Sequence, residues 1–194
     1  MKPMKHPSTI ALAALCLFAG SASAHTGDHG VTGFVSGLTH PLLGLDHLFA
    51  MIAIGLWAAQ QGGRALWAVP AAFVGAMGLG GLFAWSGGAL PHVETAIALS
   101  VLVLGLLIAT RRHAPVLAGM AIAGVFALFH GYAHGLEMPQ AASPALYALG
   151  FVLATACLHG VGIAGSLIGR HAMRLAGIAI AATGFVLVLG MYFA

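Results

Sequence analysis

The chain has 194 residues, of which 60% are hydrophobic and only 6% are charged, and its mean hydropathy is +1.01. A water-soluble fold needs many more polar side chains to cover its surface, so this composition excludes a soluble globular protein and predicts a membrane protein. The formal net charge is +3, but the basic residues occur singly or in pairs, which argues against a nucleic-acid-binding surface.

Residues 1–24 have the pattern of a secretory signal peptide. Lys2 and Lys5 give a basic start, an apolar stretch follows, and small residues precede a cleavage site after Ala24. The mature chain is therefore expected to comprise residues 25–194. The alternative is an uncleaved anchor helix, which the short apolar run disfavours because a full crossing needs about 20 residues.

The predicted mature N-terminus begins with His25 and continues to Asp28 and His29. A terminal amine and the imidazole of the same histidine can chelate a transition metal together, so His25 and His29 are candidate capture ligands. An ordinary short polar tail is the alternative.

Six apolar windows, separated by glycine, proline and the few charged residues, predict six transmembrane helices. They cover residues 42–61, 66–86, 93–110, 115–136, 145–168 and 173–193. The mature chain is thus expected to be an all-α, polytopic bundle with little chain left for a soluble domain. Aromatic residues near the predicted ends are expected to be interfacial anchors, namely Trp57, Trp67, Trp85 and Tyr192.

The arginines predict the orientation of these helices. All five fall in alternate loops, at Arg64, Arg111, Arg112, Arg170 and Arg174. Because positively charged residues stay on the cytoplasmic side, the mature N-terminus and the C-terminus are both expected outside. The acidic residues then lie on the outward side or in the outer part of a helix.

The fourth window ends with three side chains of the metal-ligand type. His130, His134 and Glu137 follow the spacing i, i+4, i+7, which places them within roughly 60° on one helix face. This spacing is that of a helical two-histidine metal site. A structural histidine pair that bonds to neighbouring helices is the alternative.

The stretch HPLLGLDHLFAM at the start of the first window carries His40, Asp46 and His47. In a straight helix the Cα atoms of the two histidines would be about 10 Å apart. If both bind one ion, we therefore predict that the 40–44 segment is bent or unwound. An aspartate inside a membrane carries an insertion penalty of about 2.5–3.5 kcal/mol at a helix centre and less near the interface, so Asp46 should have a compensating partner.

His159 lies deeper, in the fifth window, and is a candidate for the inward path or, alternatively, a hydrogen-bonded core residue. Met51, one turn after His47, could add a thioether, although packing is its commoner role. Imidazole and carboxylate ligands suit Ni²⁺ or Co²⁺, whereas the near absence of thiolate argues against a Cu(I) or structural zinc site. We expect the Cys157 side chain to pack as an apolar group and to bind no metal.

The segments HPLLGLDHLFAMIAIGLWAAQ, FHGYAHGLE and ATACLHG, after a signal peptide that ends before HTGDHG, resemble the HupE/UreJ family of hydrogenase and urease accessory proteins. This resemblance covers essentially the whole mature chain. It implies a bacterial inner-membrane protein that imports nickel, or cobalt in some members, for metalloenzyme assembly. The residues that match the two family motifs are His40, Asp46, His47, His130, His134 and Glu137. The larger nickel/cobalt permeases have His-x4-Asp-His where this chain has His-x5-Asp-His, so they are an analogy only.

The sequence therefore predicts a transition-metal permease that binds nickel, or next cobalt, as substrate and has no prosthetic group. A phosphate-binding Gly-x4-Gly-Lys-Ser/Thr loop does not occur in the sequence, so ATP hydrolysis is not expected. The alternative is a membrane scaffold that holds metal for a maturation partner or metallochaperone. A metal-dependent enzyme is disfavoured because no nucleophile or general-base pair is recognisable. The sequence does not determine whether the protein forms a homo-oligomer.

Overall fold

A computed structural model describes residues 33–138 and 143–193, and within these ranges all regular structure is helical. The predicted signal peptide and the N-terminal residues His25 and His29 lie outside the described residues. The α-helices, in chain order, are α1 (Gly33–Thr39), α2 (Leu45–Gln61), α3 (Ala65–Trp85), α4 (Val93–Ala109), α5 (Val116–Glu137), α6 (Pro144–Gly165) and α7 (Arg170–Phe193). Short 3₁₀ turns at His40–Leu42 and Ser166–Ile168 precede α2 and α7.

Helices α2 to α7 occupy the six predicted apolar windows, which confirms an all-α fold. By length and hydropathy, α3, α5, α6 and α7 can each cross a membrane, and α1 with α2 can form a fifth, broken span. Helix α4 has only 17 residues and is shorter than a typical crossing. Four or five spans therefore satisfy these criteria, and the six-span count stays a prediction.

The first predicted window is broken near its start. The segment Gly33–Leu42 meets α2 at a bend of 81°. Pro41 has no amide hydrogen, and Gly44 has an extended backbone (φ −105°, ψ 125°) from which α2 begins. The expected distortion of the 40–44 segment is therefore present, and it turns the His40 side chain back toward α5.

Glycines bring the helix backbones into direct contact. A methyl group on Gly80 would overlap the carbonyl of Leu128, and one on Gly131 would overlap that of Met77, so α3 and α5 can only pack this closely with glycine at these positions. Gly55 and Gly162 make the same kind of crossing between α2 and α6. Gly75 and Gly78 of α3, in contrast, face open space and make no such contact.

One expected anchor lies in the core. Trp57 is fully buried, and its indole N–H donates to the carbonyl of Arg112 at 3.4 Å. Trp57 was predicted to lie at the interface because it is close to the end of the apolar window 42–61. In the structure, α2 packs its side chain inward between helices. Trp67, Trp85 and Tyr192 are 61–76% exposed, as interfacial anchors should be.

The described charges are segregated along the bundle. The five arginines lie at the end where α2 finishes, with Arg64, Arg111 and Arg112 in connections and Arg170 and Arg174 in the first turns of α7. Gln61 bonds there to Arg112 and Ala114. Asp46 lies at the start of α2, Glu94 at the start of α4 and Glu137 at the end of α5, which is the opposite end. The candidate ligands therefore sit at the acidic end.

Candidate metal centre

Three buried histidines converge at the acidic end of the bundle, and we call His47, His130 and His134 the buried triad. Each has a ring nitrogen within 4.8 Å of those of the other two. The His47 ring centroid is 4.8 Å from that of His130 and 4.1 Å from that of His134. Their exposed fractions are 8%, 0% and 5%. Three imidazoles that close on one point are a suitable donor set for a divalent transition metal.

A second group lies nearer the surface, and we call His40, His134 and Glu137 the outer triad. The His40 Nε2–H donates to Glu137 Oε2 at 2.9 Å, and His134 Nδ1 is 3.5 Å from the same oxygen. The side chains of His40 and Glu137 are 23% and 52% exposed. Because His134 belongs to both triads, a cation could pass from the outer to the buried group without leaving this ligand.

Asp46 lies behind His47 instead of among the triad nitrogens. Its Oδ1 accepts the His47 Nδ1–H at 2.8 Å and the His47 backbone N–H at 2.8 Å. His47 Nε2 therefore carries the lone pair, and it is buried without a hydrogen-bond partner. A Cβ on Gly44 would come within 2.7 Å of Asp46 Oδ1, so glycine at position 44 gives the carboxylate room to fold back onto His47.

Ser100 of α4 orients His130 in the same way. The Ser100 hydroxyl donates to the Ile97 carbonyl at 2.6 Å, so its lone pair accepts the His130 Nε2–H at 2.9 Å. His130 Nδ1 is then the free nitrogen, and it too is buried without a partner. Outer oxygen partners of this kind fix the tautomer and ring direction of metal-binding histidines.

We expect Ser100→Ala and Asp46→Ala each to weaken metal binding by about 10–100-fold without abolishing it, because the histidines remain but lose their orienting oxygens. Isothermal titration of purified protein with Ni²⁺ measures this affinity. Ser86→Ala is a matched control, since the exposed Ser86 hydroxyl bonds only to the Phe83 carbonyl. Unchanged affinity in both variants would contradict the orienting role.

His159 lies outside both triads, one layer deeper. Its Nδ1–H donates to the Met51 carbonyl at 2.8 Å, which leaves Nε2 as a buried lone pair without a partner. The Phe73 ring stands between His159 and His130, with centroid distances of 5.2 and 5.8 Å. His159 is therefore not a ligand of the buried triad in this geometry, but it lies beneath it.

Two thioethers and a hydroxyl fill the space next to this deeper histidine. Thr155, one turn before His159, is fully buried, and its hydroxyl lies 3.5 Å from Met51 Sδ and 3.9 Å from Met77 Sδ. Met51 follows His47 by one turn of α2. Donor atoms from three helices thus continue inward from the buried triad.

The structure brings together six of the nine predicted site residues, either in a triad or directly behind one: His40, Asp46, His47, His130, His134 and Glu137. Cys157 is exposed on the bundle surface. Sequence reasoning missed Ser100, although it is the one polar side chain of α4 beyond the first turn. That isolation within an apolar helix was the available signal.

The fold and these residues define a class, a polytopic helical membrane protein with a histidine-rich centre at one end of its bundle. Comparison with known proteins names the family. The family model described as HupE / UreJ protein matches residues 13–187, so the chain belongs to the HupE/UreJ family. Protein HupE of Rhizobium leguminosarum bv. viciae is 46% identical over 187 residues, which are 94% of this chain and 97% of that protein. No solved structure matches the chain significantly.

Proposed function

We propose that this protein is a bacterial inner-membrane permease that imports a divalent transition metal, Ni²⁺ first and Co²⁺ next, for maturation of hydrogenase- or urease-type enzymes. The observation that carries this proposal is the buried triad, in which His47 and His130 have free ring nitrogens and their N–H groups bonded to oxygen. Ionisable groups inside membrane helices mark ion pathways more often than they serve packing.

The donor chemistry supports the choice of metal. Imidazole nitrogens dominate both triads, and Glu137 adds a carboxylate, a combination that suits Ni²⁺ and Co²⁺. The exposed Cys157 is on a different face from His159 and adds no thiolate. The metal is the transported substrate in this proposal, and the protein catalyses no chemical reaction.

The two triads support a stepwise path. A cation captured by His25 and His29 at the periplasmic face would next meet the half-exposed Glu137 and, beside it, His40, which is 23% exposed. The cation would then move to the buried triad while it stays bound to His134, since His134 belongs to both groups. Transfer between overlapping sites avoids releasing the bare ion into a medium of low polarity.

The first donors below the buried triad, the Met51 thioether and the Thr155 hydroxyl, are weaker ligands than the triad imidazoles. Each step from His47 to Met51 and from Thr155 to His159 spans one helical turn, about 6 Å. Thioether and hydroxyl donors bind Ni²⁺ more weakly than imidazole does. Conduction requires that an ion can leave each site as well as reach it, so weak ligands between the buried triad and His159 favour onward movement of the ion.

We expect Met51→Leu and His159→Ala to lower the rate of Ni²⁺ transport at least about 10-fold while equilibrium affinity stays within about 2-fold, because the triads remain intact. Flux into vesicles and titration of the same preparation measure the two quantities. Met173→Leu, a buried methionine of α7, is the matched control. If affinity falls in proportion to flux, His159 and Met51 would belong to the binding site itself.

We further propose that the arginine-bearing end of the bundle faces the cytoplasm and that both termini are periplasmic. This orientation is supported by the position of all five arginines at one end of the bundle, in connections or in the first turns of α7. Inward movement of a cation would then be driven by the membrane potential, worth about 2.3 kcal/mol per charge per 100 mV.

A scaffold is the second candidate function, and the exposure of Glu137 favours it. A carboxylate with 52% of its side chain exposed could present metal to a maturation partner at the membrane surface. Such a protein would bind metal through the same histidines but would move none.

Purified protein reconstituted into sealed vesicles separates the two functions. A permease should accumulate radioactive ⁶³Ni²⁺ inside vesicles when a negative inside potential is imposed, and empty vesicles should not. Binding of Ni²⁺ in detergent together with no accumulation would favour the scaffold. Failure to bind Ni²⁺ or Co²⁺ at all would contradict both.

A further inference from the structure

The arginine-bearing end of the bundle contains a basic cleft. It has a volume of about 500 Å³ and is formed by the end of α4 and the first turns of α7. Three arginines and a histidine line it, namely Arg111, Arg170, His171 and Arg174. Arg64 and Arg112, at the same end, do not line it.

The described chain supplies no counter-charge for this cleft. Within residues 33–138 and 143–193, each ion pair joins a histidine to a carboxylate at the acidic end. Three guanidinium groups around one cavity repel one another unless an anion lies between them. The first backbone amides of α7, which begins at Arg170, add partial positive charge there.

The shape of the surroundings indicates what kind of anion fits. Leu175 and Ile178 follow His171 and Arg174 by one helical turn, so they continue the same face of α7 toward the membrane interior. They are 54% and 48% exposed. A ligand with a phosphate for the arginines and a hydrocarbon chain for this apolar face would satisfy both parts, whereas free phosphate would satisfy only the first.

We propose that this cleft binds the headgroup phosphate of an anionic phospholipid, with an acyl chain lying along Leu175 and Ile178. Guanidinium groups bind phosphate oxygens in a planar, two-pronged geometry. Basic pockets between transmembrane helices at the headgroup level are suited to anionic lipids. This site is separate from the metal centre and does not depend on the proposed transport activity.

The test uses the full protein reconstituted in discs of phosphatidylcholine with phosphatidylglycerol, then extracted into detergent and examined by native mass spectrometry. We expect wild-type protein to retain phosphatidylglycerol, and the double variant Arg170→Gln/Arg174→Gln to retain at least about 10-fold less. The control is Arg64→Gln/Arg112→Gln, which removes the same charge from the same end but leaves the cleft intact.

Three results would overturn the proposal. Equal losses in the two double variants would show that only the general charge of this end matters. Equal retention of phosphatidylglycerol and phosphatidylcholine by wild-type protein would show that no anionic site exists. Displacement of the lipid by millimolar inorganic phosphate would assign the cleft to a soluble anion. Thermal unfolding of each variant verifies that it is folded.

Discussion

Replacing His134 with alanine is expected to abolish metal uptake and to lower metal affinity by more than the 10–100-fold typical of changes to orienting partners. His134 lies in both triads, so its loss leaves two donors in each. Both of its ring nitrogens are buried without a hydrogen-bond partner, so the substitution also removes orphaned polar atoms. The folded protein should therefore persist. Uptake of ⁶³Ni²⁺ by cells, at matched protein levels, measures the effect.

Two further variants separate the triads. His40→Ala removes a ligand from the outer triad only, and His130→Ala removes one from the buried triad only. We expect the first to slow uptake at low metal concentration and the second to stop it at any concentration. His113→Ala, in the exposed connection at the opposite end, is the control and should leave uptake unchanged. Normal uptake by the His134→Ala variant would contradict a role for His134 as a ligand in both triads.

Gly131→Ala is expected to have the largest effect on stability among single-methyl changes. The added methyl would overlap the backbone carbonyl of Met77, and a backbone cannot move aside as a flexible side chain can. Helices α3 and α5 must separate, which costs at least the upper part of the 1–3 kcal/mol range usual for overpacking. The unfolding midpoint in detergent, followed by circular dichroism, measures this loss.

The same substitution should also weaken metal binding, because Gly131 lies between His130 and His134 on α5. Gly124→Ala is the matched control on this helix, since its methyl would meet only the Ala76 side chain at 3.7 Å. That variant should be as stable as the wild type or slightly more stable, because alanine favours a helix by about 1 kcal/mol over glycine. Equal midpoints for the two variants would contradict the close crossing.

Helical periodicity was enough to predict one side of the centre. The i, i+4, i+7 spacing of His130, His134 and Glu137 places them on one face whatever surrounds the helix. In the structure, His134 shares one triad with His130 and the other with Glu137. The bend before α2 was also predictable in part. The heptad-like separation of His40 and His47 is too long for one ion on a straight helix, and Pro41 and Gly44 lie between them.

Contacts between helices could not be predicted in the same way. Asp46 was expected among the ligands, but its Oδ1 lies against His47 Nδ1, a choice set by the local backbone at Gly44. Ser100 meets His130 only because α4 packs beside α5. Helix α1 has seven residues, too few for a window of membrane length to detect. Trp57 was predicted at the interface from its position near the end of an apolar window. That position carries no information about which neighbouring helices cover the indole.

Imidazoles of two helices should close on one transition-metal ion, and X-ray absorption at the nickel edge tests this most directly. Protein purified with its lipids and loaded with one equivalent of Ni²⁺ should give the multiple-scattering pattern of three imidazole rings. In the His134→Ala variant that pattern should weaken or the metal should be lost. A spectrum free of imidazole scattering, or one identical in the two proteins, would show that the metal binds elsewhere.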